Sequence, residues 1–417
     1  MALKSFNDFI WDERWWFPNK VFGNTYGWKD LENQPGSEVY YPETTDLHFG
    51  ILLGAALVIL RFIIESVLLK PIGYKLGVQP QRVPFITPNA VLEEEYKQKR
   101  QLQPNYEALS KQTDWSVRQI EVWFRKRKKR DATPTIKKFC DSGWHFIFYT
   151  SSFIYGLCLL WNKPWFTTTK ECWVGWPQQH VSDGIYWYYM IELAFYCSLI
   201  FTLLYDHKRA DFVQMIVHHL ATIVLIYFSW ISNFVRVGSL VLLIHDVSDP
   251  WLELAKMGIY LKRKTLTDVA FGIFVLVWTV ARHYVLPFII LYTTTIEVLD
   301  IIDAPTFVNY FFNFFLYLLL MLTCIWSYHI YKMVYKTLTE GDIKDSRSDS
   351  EADDDDVTVD KKLDKPIDSY QNGNNHTTEN GNNNTTENGN CHNEVNCHAP
   401  AVENGNIKID KKQALDT

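Results

Sequence analysis

The first twenty residues, MALKSFNDFIWDERWWFPNK, lack both the basic start and the apolar core of a secretory leader. No cleavable signal peptide is expected, so the first spanning helix must itself act as the targeting element. Cysteine is sparse and scattered, at Cys140, Cys158, Cys172, Cys197, Cys324, Cys391 and Cys397, and this spacing implies no disulfide framework. Cys391-His392 and Cys397-His398 lie in low-complexity sequence and are not read as a metal site. The averages also lack any sign of a membrane. A mean hydropathy of −0.12 and a net charge of −6 describe a soluble acidic protein.

The averages hide two unlike parts. Residues 340–417 hold 18 acidic and 8 basic side chains, so the first 339 residues carry about +4 and nearly all the aromatic residues. Within that main part, seven apolar stretches are each about 20 residues, long enough to span a bilayer: 46–69, 140–161, 183–205, 212–232, 237–258, 268–291 and 306–331. Arg61 and Glu65 interrupt the first, at a spacing that allows them to pair on one helix face. The connecting segments alternate in charge. Loops 70–139, 206–211 and 259–267 and the exit after the last stretch are basic, whereas 162–182, 233–236 and 292–305 are poor in Lys and Arg. The positive-inside rule then puts the N-terminus in the lumen and the C-terminus in the cytosol.

Two of these stretches carry charge that a bilayer makes costly. His218 and His219 sit inside FVQMIVHHLATIVLIYFSW, and the next stretch holds HDVSD, with Asp246 and Asp249 three apart. Ionisable groups at membrane depth are functional by default. A rise of about 1.5 Å per residue puts both clusters in the cytosolic half. His218 is read as base or nucleophile, with His219 as its partner. Asp246 and Asp249 are read as orienters on one helix face, and His245 and Arg282 as further buried polar groups near substrate. Lys208 and Arg209 are placed to steer phosphates or simply to anchor topology. Two His and two Asp could bind a metal, but the HxxxH and HxxHH boxes of membrane di-iron enzymes are absent. Neither metal nor cofactor is expected.

The stretch YDHKRADFVQMIVHHLATIVLIYFSWISNFVRVGSLVLLIHDVSDPWLELAKMGIY, residues 205–260, resembles the longevity-assurance motif of ceramide synthases. The matching elements are Lys208, Arg209, Asp211 and Phe212, the histidine pair, Asn233 to Gly238, HDVSD, and Glu253 to Lys256. The wider likeness is to the TLC-domain membrane fold, over about 137–336, and the flanks look closest to insect-type members. The resemblance implies transfer of an acyl group from acyl-CoA to sphinganine or sphingosine, in the endoplasmic reticulum membrane or the nuclear envelope. It implies the same role for the motif residues, with Asp211 among those at the substrate. Dimerisation with itself or a relative is left open. In this family the junction here read as 292–305 influences acyl-chain length.

The fold expected is an all-α integral membrane protein. A lumenal segment (1–45) and a first spanning helix (46–69) precede a small basic cytosolic domain (75–131), the acyltransferase bundle around a central cavity (137–336), and a disordered acidic tail (339–417). The basic domain reads as three helices that resemble a homeodomain, with Ile120, Val122, Trp123 and Phe124 facing inward and RKRKKR (125–130) facing phosphates. Lys126 stands where the adenine-reading Asn of a homeodomain would be. Base-specific binding is therefore ranked below contact with an anionic lipid surface. In the tail, Ser346, Ser348 and Ser350 precede an acidic run and read as phosphorylation sites. Two rival readings remain: a membrane-tethered homeodomain-type DNA-binding regulator, and a non-catalytic lipid sensor on the TLC fold.

Overall fold

The computed structural model describes residues 8–340, other than 10, 18–20, 22–23, 81–82, 99–103, 206–210 and 303–304. Lys208, Arg209, the three tail serines and the expected tail beyond Glu340 thus lie outside the described residues. Among those described there are no strands, only two isolated bridges.

The first helix, α1 (Thr44–Ile64), runs on through a π-helical turn (Glu65–Leu69) and a further segment (Lys70–Leu76) to Gly77, whose φ of 107° ends it. Gly50 and Gly54, one turn apart, let α1 lie close against α6 (Asp183–Tyr205). A Cβ at Gly54 would sit 2.9 Å from the Ala194 carbonyl. The Arg61–Glu65 pair forms as expected, at 2.6 Å, and Arg61 reaches a second carboxylate, Asp141, also at 2.6 Å. One guanidinium thus neutralises two acids between helices.

Three short helices follow: α2 (Ala90–Gln98), α3 (Tyr106–Thr113) and α4 (Val117–Asp131). Asn105 caps α3, and Ser116 with Gln119 forms a capping box on α4. Leu92, Leu109, Ile120, Trp123 and Phe124 form their core. Val122 is only half-buried, because two helical residues on from Ile120 it points about 200° away. Arg127 departs from the expected outward-facing basic run. It is buried, forked onto Glu93 by two 2.9 Å bonds, paired with Asp131, and 4.7 Å over the Tyr96 ring.

The bundle comprises α5 (Thr135–Leu160), α6, α7 (Phe212–Ile231), α8 (Val235–Asp246), α9 (Asp249–Tyr260), α10 (Lys264–Thr279) and α11 (Phe307–Glu340). Helix α10 continues as a π-helical stretch, Val280–Ile290, that accommodates Pro287, and then as Leu291–Thr295. Among the described residues, five helices are long and apolar enough to cross a membrane: α1, α6, α7, α10 with its continuations, and α11. Exposed apolar side chains such as Leu52, Val67, Val213, Leu276 and Phe288 lie on them.

The expected span over 237–258 is not one helix. It breaks at Val247-Ser248 into α8 and α9, each of 12 residues. Pro250 has no N–H, and its ring would crowd the carbonyl of Asp246, so an unbroken helix cannot pass that point. The loop expected over 292–305 is largely helical, with a 3-10 turn at Glu297–Asp300. Thr169 Oγ1 donates to Glu297 at 2.6 Å, and Lys170 pairs with Asp300.

One end of the bundle is rich in tryptophan. Trp16 stacks on Phe228, Trp28 donates its indole N–H to the Trp11 carbonyl, and Trp176 donates to Ser232. Asn233 is the pivot between α7 and α8. It adopts a φ of 55°, and its amide donates to the Pro177 and Gln179 carbonyls at 2.7 and 2.8 Å. Arg236 reaches the Glu171 carbonyl at 2.8 Å and lies 4.6 Å over the Trp165 ring. The N-F-x-R-x-G link is therefore a clasp that holds this end closed.

Candidate active site

Helix α7 presents both histidines in its first half, six and seven residues on from Phe212. His219 is buried and His218 half-buried, with ring centroids 5.5 Å apart. Tyr196 of α6 lies 6.4 Å from the His218 ring and 5.9 Å from that of His219. Trp326 of α11 meets His218 edge-on at 5.3 Å. Adjacent helical residues diverge by about 100°, so both rings can share a site only where three helices converge, and α6 and α11 supply that convergence.

His245 lies on α8. Its Nδ1 donates to the Val241 carbonyl at 2.7 Å, which leaves Nε2 as a buried acceptor with no protein partner. Arg282 sits in the π-helical stretch of α10, where Nη2 donates to the His245 carbonyl at 2.8 Å and the guanidinium lies 5.1 Å from the Trp278 ring. Such widened turns often mark functional positions. Asp211 lies just before α7, about two helical turns from His218.

The two aspartates do not share one helix face, because Asp246 ends α8 and Asp249 begins α9. No hydrogen bond joins either of them to His218 or His219 among the described residues. Asp246 instead accepts a 2.8 Å bond from Ser152 of α5, and the same hydroxyl contacts Glu192 of α6. Asp249 is half-buried, with Ser248 Oγ at 3.4 Å. The sequence reading missed Glu192, although a carboxylate in the apolar run IELAF carries the signal used for the histidines. It also missed Ser152, Tyr196 and Trp326, which look like ordinary helix residues until the partner helices are known. Among the described residues, no group of three or more His, Cys, Asp or Glu side chains could hold a metal ion.

Beside this cluster lies an apolar cavity, narrow along its length, with about 50 Å³ of enclosed free space. At the level of the histidines it is bounded by Tyr196, Thr222 and His245. It runs along α8 and α11 toward the tryptophan-rich end, past Val237, Gly238 and Leu316. Trp173, Thr294 and Asn309, all buried, line that end. Thr294 Oγ1 donates to Asn313 Oδ1 at 2.7 Å, and Trp173 donates its indole N–H to Thr293 at 2.9 Å. The result is an elongated apolar cavity with the His245 imidazole in its wall.

Residues 138–332 match the family model described as the TLC domain. The chain is 41% identical over 367 residues to "Ceramide synthase 5" of Homo sapiens, covering 86% of this chain and 91% of that protein. It is 38% identical over 353 residues to "Ceramide synthase 4" of Bos taurus, covering 84% and 88%. It is also 40% identical over 225 residues to "Ceramide synthase hyl-1" of Caenorhabditis elegans, covering 51% and 61%. Identity at this level over most of both chains shows that this protein belongs to the ceramide synthase family.

Proposed function

We propose that the chain transfers a long acyl group from acyl-CoA to the amine of a sphingoid base, forming an amide and releasing the CoA thiol. The apolar cavity that runs from His245 toward the tryptophan-rich end carries this reading, because, taken as closed at that end, it suits an alkyl chain whose thioester stops at the imidazoles. The incoming ammonium must lose a proton before nitrogen attacks the thioester carbonyl, and an imidazole with a pKa near 6.5 is matched to that task. The C–N bond forms and the C–S bond breaks; of the two protons that nitrogen gives up, one leaves on the thiol and the other passes from the imidazole to solvent. In a two-step variant, a histidine first takes the acyl group and then yields it to the amine. Apolar walls keep water from either route.

In this reading His218 and His219 do the chemistry, and Tyr196 and Trp326 hold their rings. His245, with a bare Nε2, is an additional proton acceptor, and Arg282 fixes it through its backbone. Asp249 and Asp211 lie toward the basic end, where Lys208 and Arg209 would meet CoA phosphates. The chain crosses the endoplasmic reticulum membrane seven times, with α5 and the broken α8–α9 pair supplying two crossings inside the bundle. The tryptophan-rich end is lumenal. The α2–α4 unit lies at the cytosolic surface, where the inward turn of Arg127 removes one cation from any phosphate-binding face.

The test supplies microsomes containing the chain with sphinganine and a panel of acyl-CoAs. Ceramide formation by the parent, lost in His218→Ala and in Asp249→Ala, is expected. Full activity in His218→Ala would refute the catalytic assignment, and no product from the parent would refute the reaction.

A further inference from the structure

A second polar group is buried one helix face away from the imidazoles. Glu192 on α6 is fully buried, as is Asp246 at the end of α8, and Ser152 of α5 stands between them. The serine Oγ is within hydrogen-bonding distance of Glu192 Oε1 and 2.8 Å from Asp246 Oδ2. The other oxygens, Glu192 Oε2 and Asp246 Oδ1, are buried with no hydrogen bond from a third group among the described residues.

Counting hydrogens makes this arrangement informative. A serine hydroxyl brings one hydrogen, and an ionised carboxylate brings none. Two carboxylates on one hydroxyl therefore leave one contact without a hydrogen and place two like charges side by side in a low-dielectric interior. One shared proton removes both defects. The surrounding ionisable groups are Tyr149 on α5, Tyr188 and Tyr196 on α6, Asp249 on α9 and Arg282 on α10. Arg282 is the one permanent cation of that set, and its near Nη2 is already committed to the His245 carbonyl.

We propose that Glu192 is a positioning residue for the transfer reaction: through Ser152 and one shared proton it clamps Asp246, and with it the α8–α9 break that carries His245 and Asp249. The clamp ties together α5, α6 and the end of α8, the three elements around the break. Without it, Asp246 would be a lone buried charge at a helix end loosened by Pro250, and the register of His245 against the cavity would drift. Glu192 itself touches neither substrate. The inference rests on the acyl-transfer reading above.

The experiment uses the full-length chain in microsomes, with sphinganine and a long-chain acyl-CoA, and compares the parent with Glu192→Gln and Glu192→Ala. A glutamine supplies permanently the hydrogen that the shared proton supplies in the parent. Glu192→Gln should keep kcat within about threefold of the parent and move the alkaline limb of its pH profile upward, because it has no such proton to lose. Glu192→Ala should lose at least about tenfold in kcat while KM for acyl-CoA stays within about twofold, on the scale expected when a catalytic group shifts by a fraction of an ångström. Parent-like kcat in Glu192→Ala, or an alkaline limb in Glu192→Gln that does not move, would overturn the proposal. If Glu192→Ala does not accumulate as folded protein, the pH profile of Glu192→Gln decides alone. Activity of the parent in the same assay separates these outcomes from failure of the acyl-transfer reading.

Discussion

Replacing Val237 by Phe tests whether the apolar cavity measures the acyl chain. Val237 is buried on α8 and lines the cavity three residues from Phe234, the lining residue of α7–α8 nearest the tryptophan-rich end. From Phe234 to His245 the helix spans about 16 Å at its usual rise. An extended alkyl chain advances roughly 1.25 Å per carbon by standard bond geometry, so about a dozen methylenes fit beyond the thioester. A phenyl ring at 237 would occupy the last ~4.5 Å, removing room for three to four of them. At about 0.8 kcal/mol per buried methylene, a chain that needed that space loses about 2.5–3 kcal/mol of binding. That is close to a hundredfold in kcat/KM relative to a chain four carbons shorter. The assay is a competition among acyl-CoAs of graded length, with ceramides separated by mass. An unchanged length optimum in a folded, active variant would refute this geometry, as would a shift toward longer chains.

Three further outcomes follow from the packing. Arg61→Ala removes the cation shared by Glu65 and Asp141 between helices and should cost about 3 kcal/mol, read as a lower unfolding temperature in detergent. Asn233→Ala forfeits two hydrogen bonds and a residue type that tolerates positive φ. It should cost about 2 kcal/mol and raise protease sensitivity at the tryptophan-rich end. In α2–α4, the Arg127 guanidinium holds the Glu93 carboxyl below its ordinary value. Its stabilising effect is therefore complete above the unfolded pKa of about 4.3 and is lost as pH falls through the lower folded value. Tryptic cleavage within α2–α4 of the full chain should increase on acidification in the parent, and Arg127→Ala should be readily cleaved already at neutral pH.

The parts of the site written as polar letters in apolar runs were legible in the sequence. His218 and His219, the HDVSD cluster and Arg282 stand out because hydrocarbon makes charge expensive, and of these His245 lines the apolar cavity. The Arg61–Glu65 pair follows from helical spacing alone. What could not be read was which way each group turns. Spacing of three suggests one face for Asp246 and Asp249, yet Pro250 interrupts the helix between them, and a proline effect on the carbonyl four residues back outweighs the apolar average. Glu192 was overlooked because its partners come from α5 and α8, about 40 and 54 residues away. The same reason hides Asp141 as the second ligand of Arg61. Val122 shows the opposite failure, in which hydrophobicity suggests an inward face that helical phase denies.

The cavity's course also governs the order of events. Trp173, Thr294 and Asn309 line its far end, so in the proposed reading whatever enters past the imidazoles withdraws the way it came. The acyl tail is then first in and last out. While a finished ceramide still has its tail in the cavity, no second acyl-CoA can load, even though the CoA side is free. The site behaves as a single-ended dock, with turnover paced by how fast the longest tail backs into the bilayer.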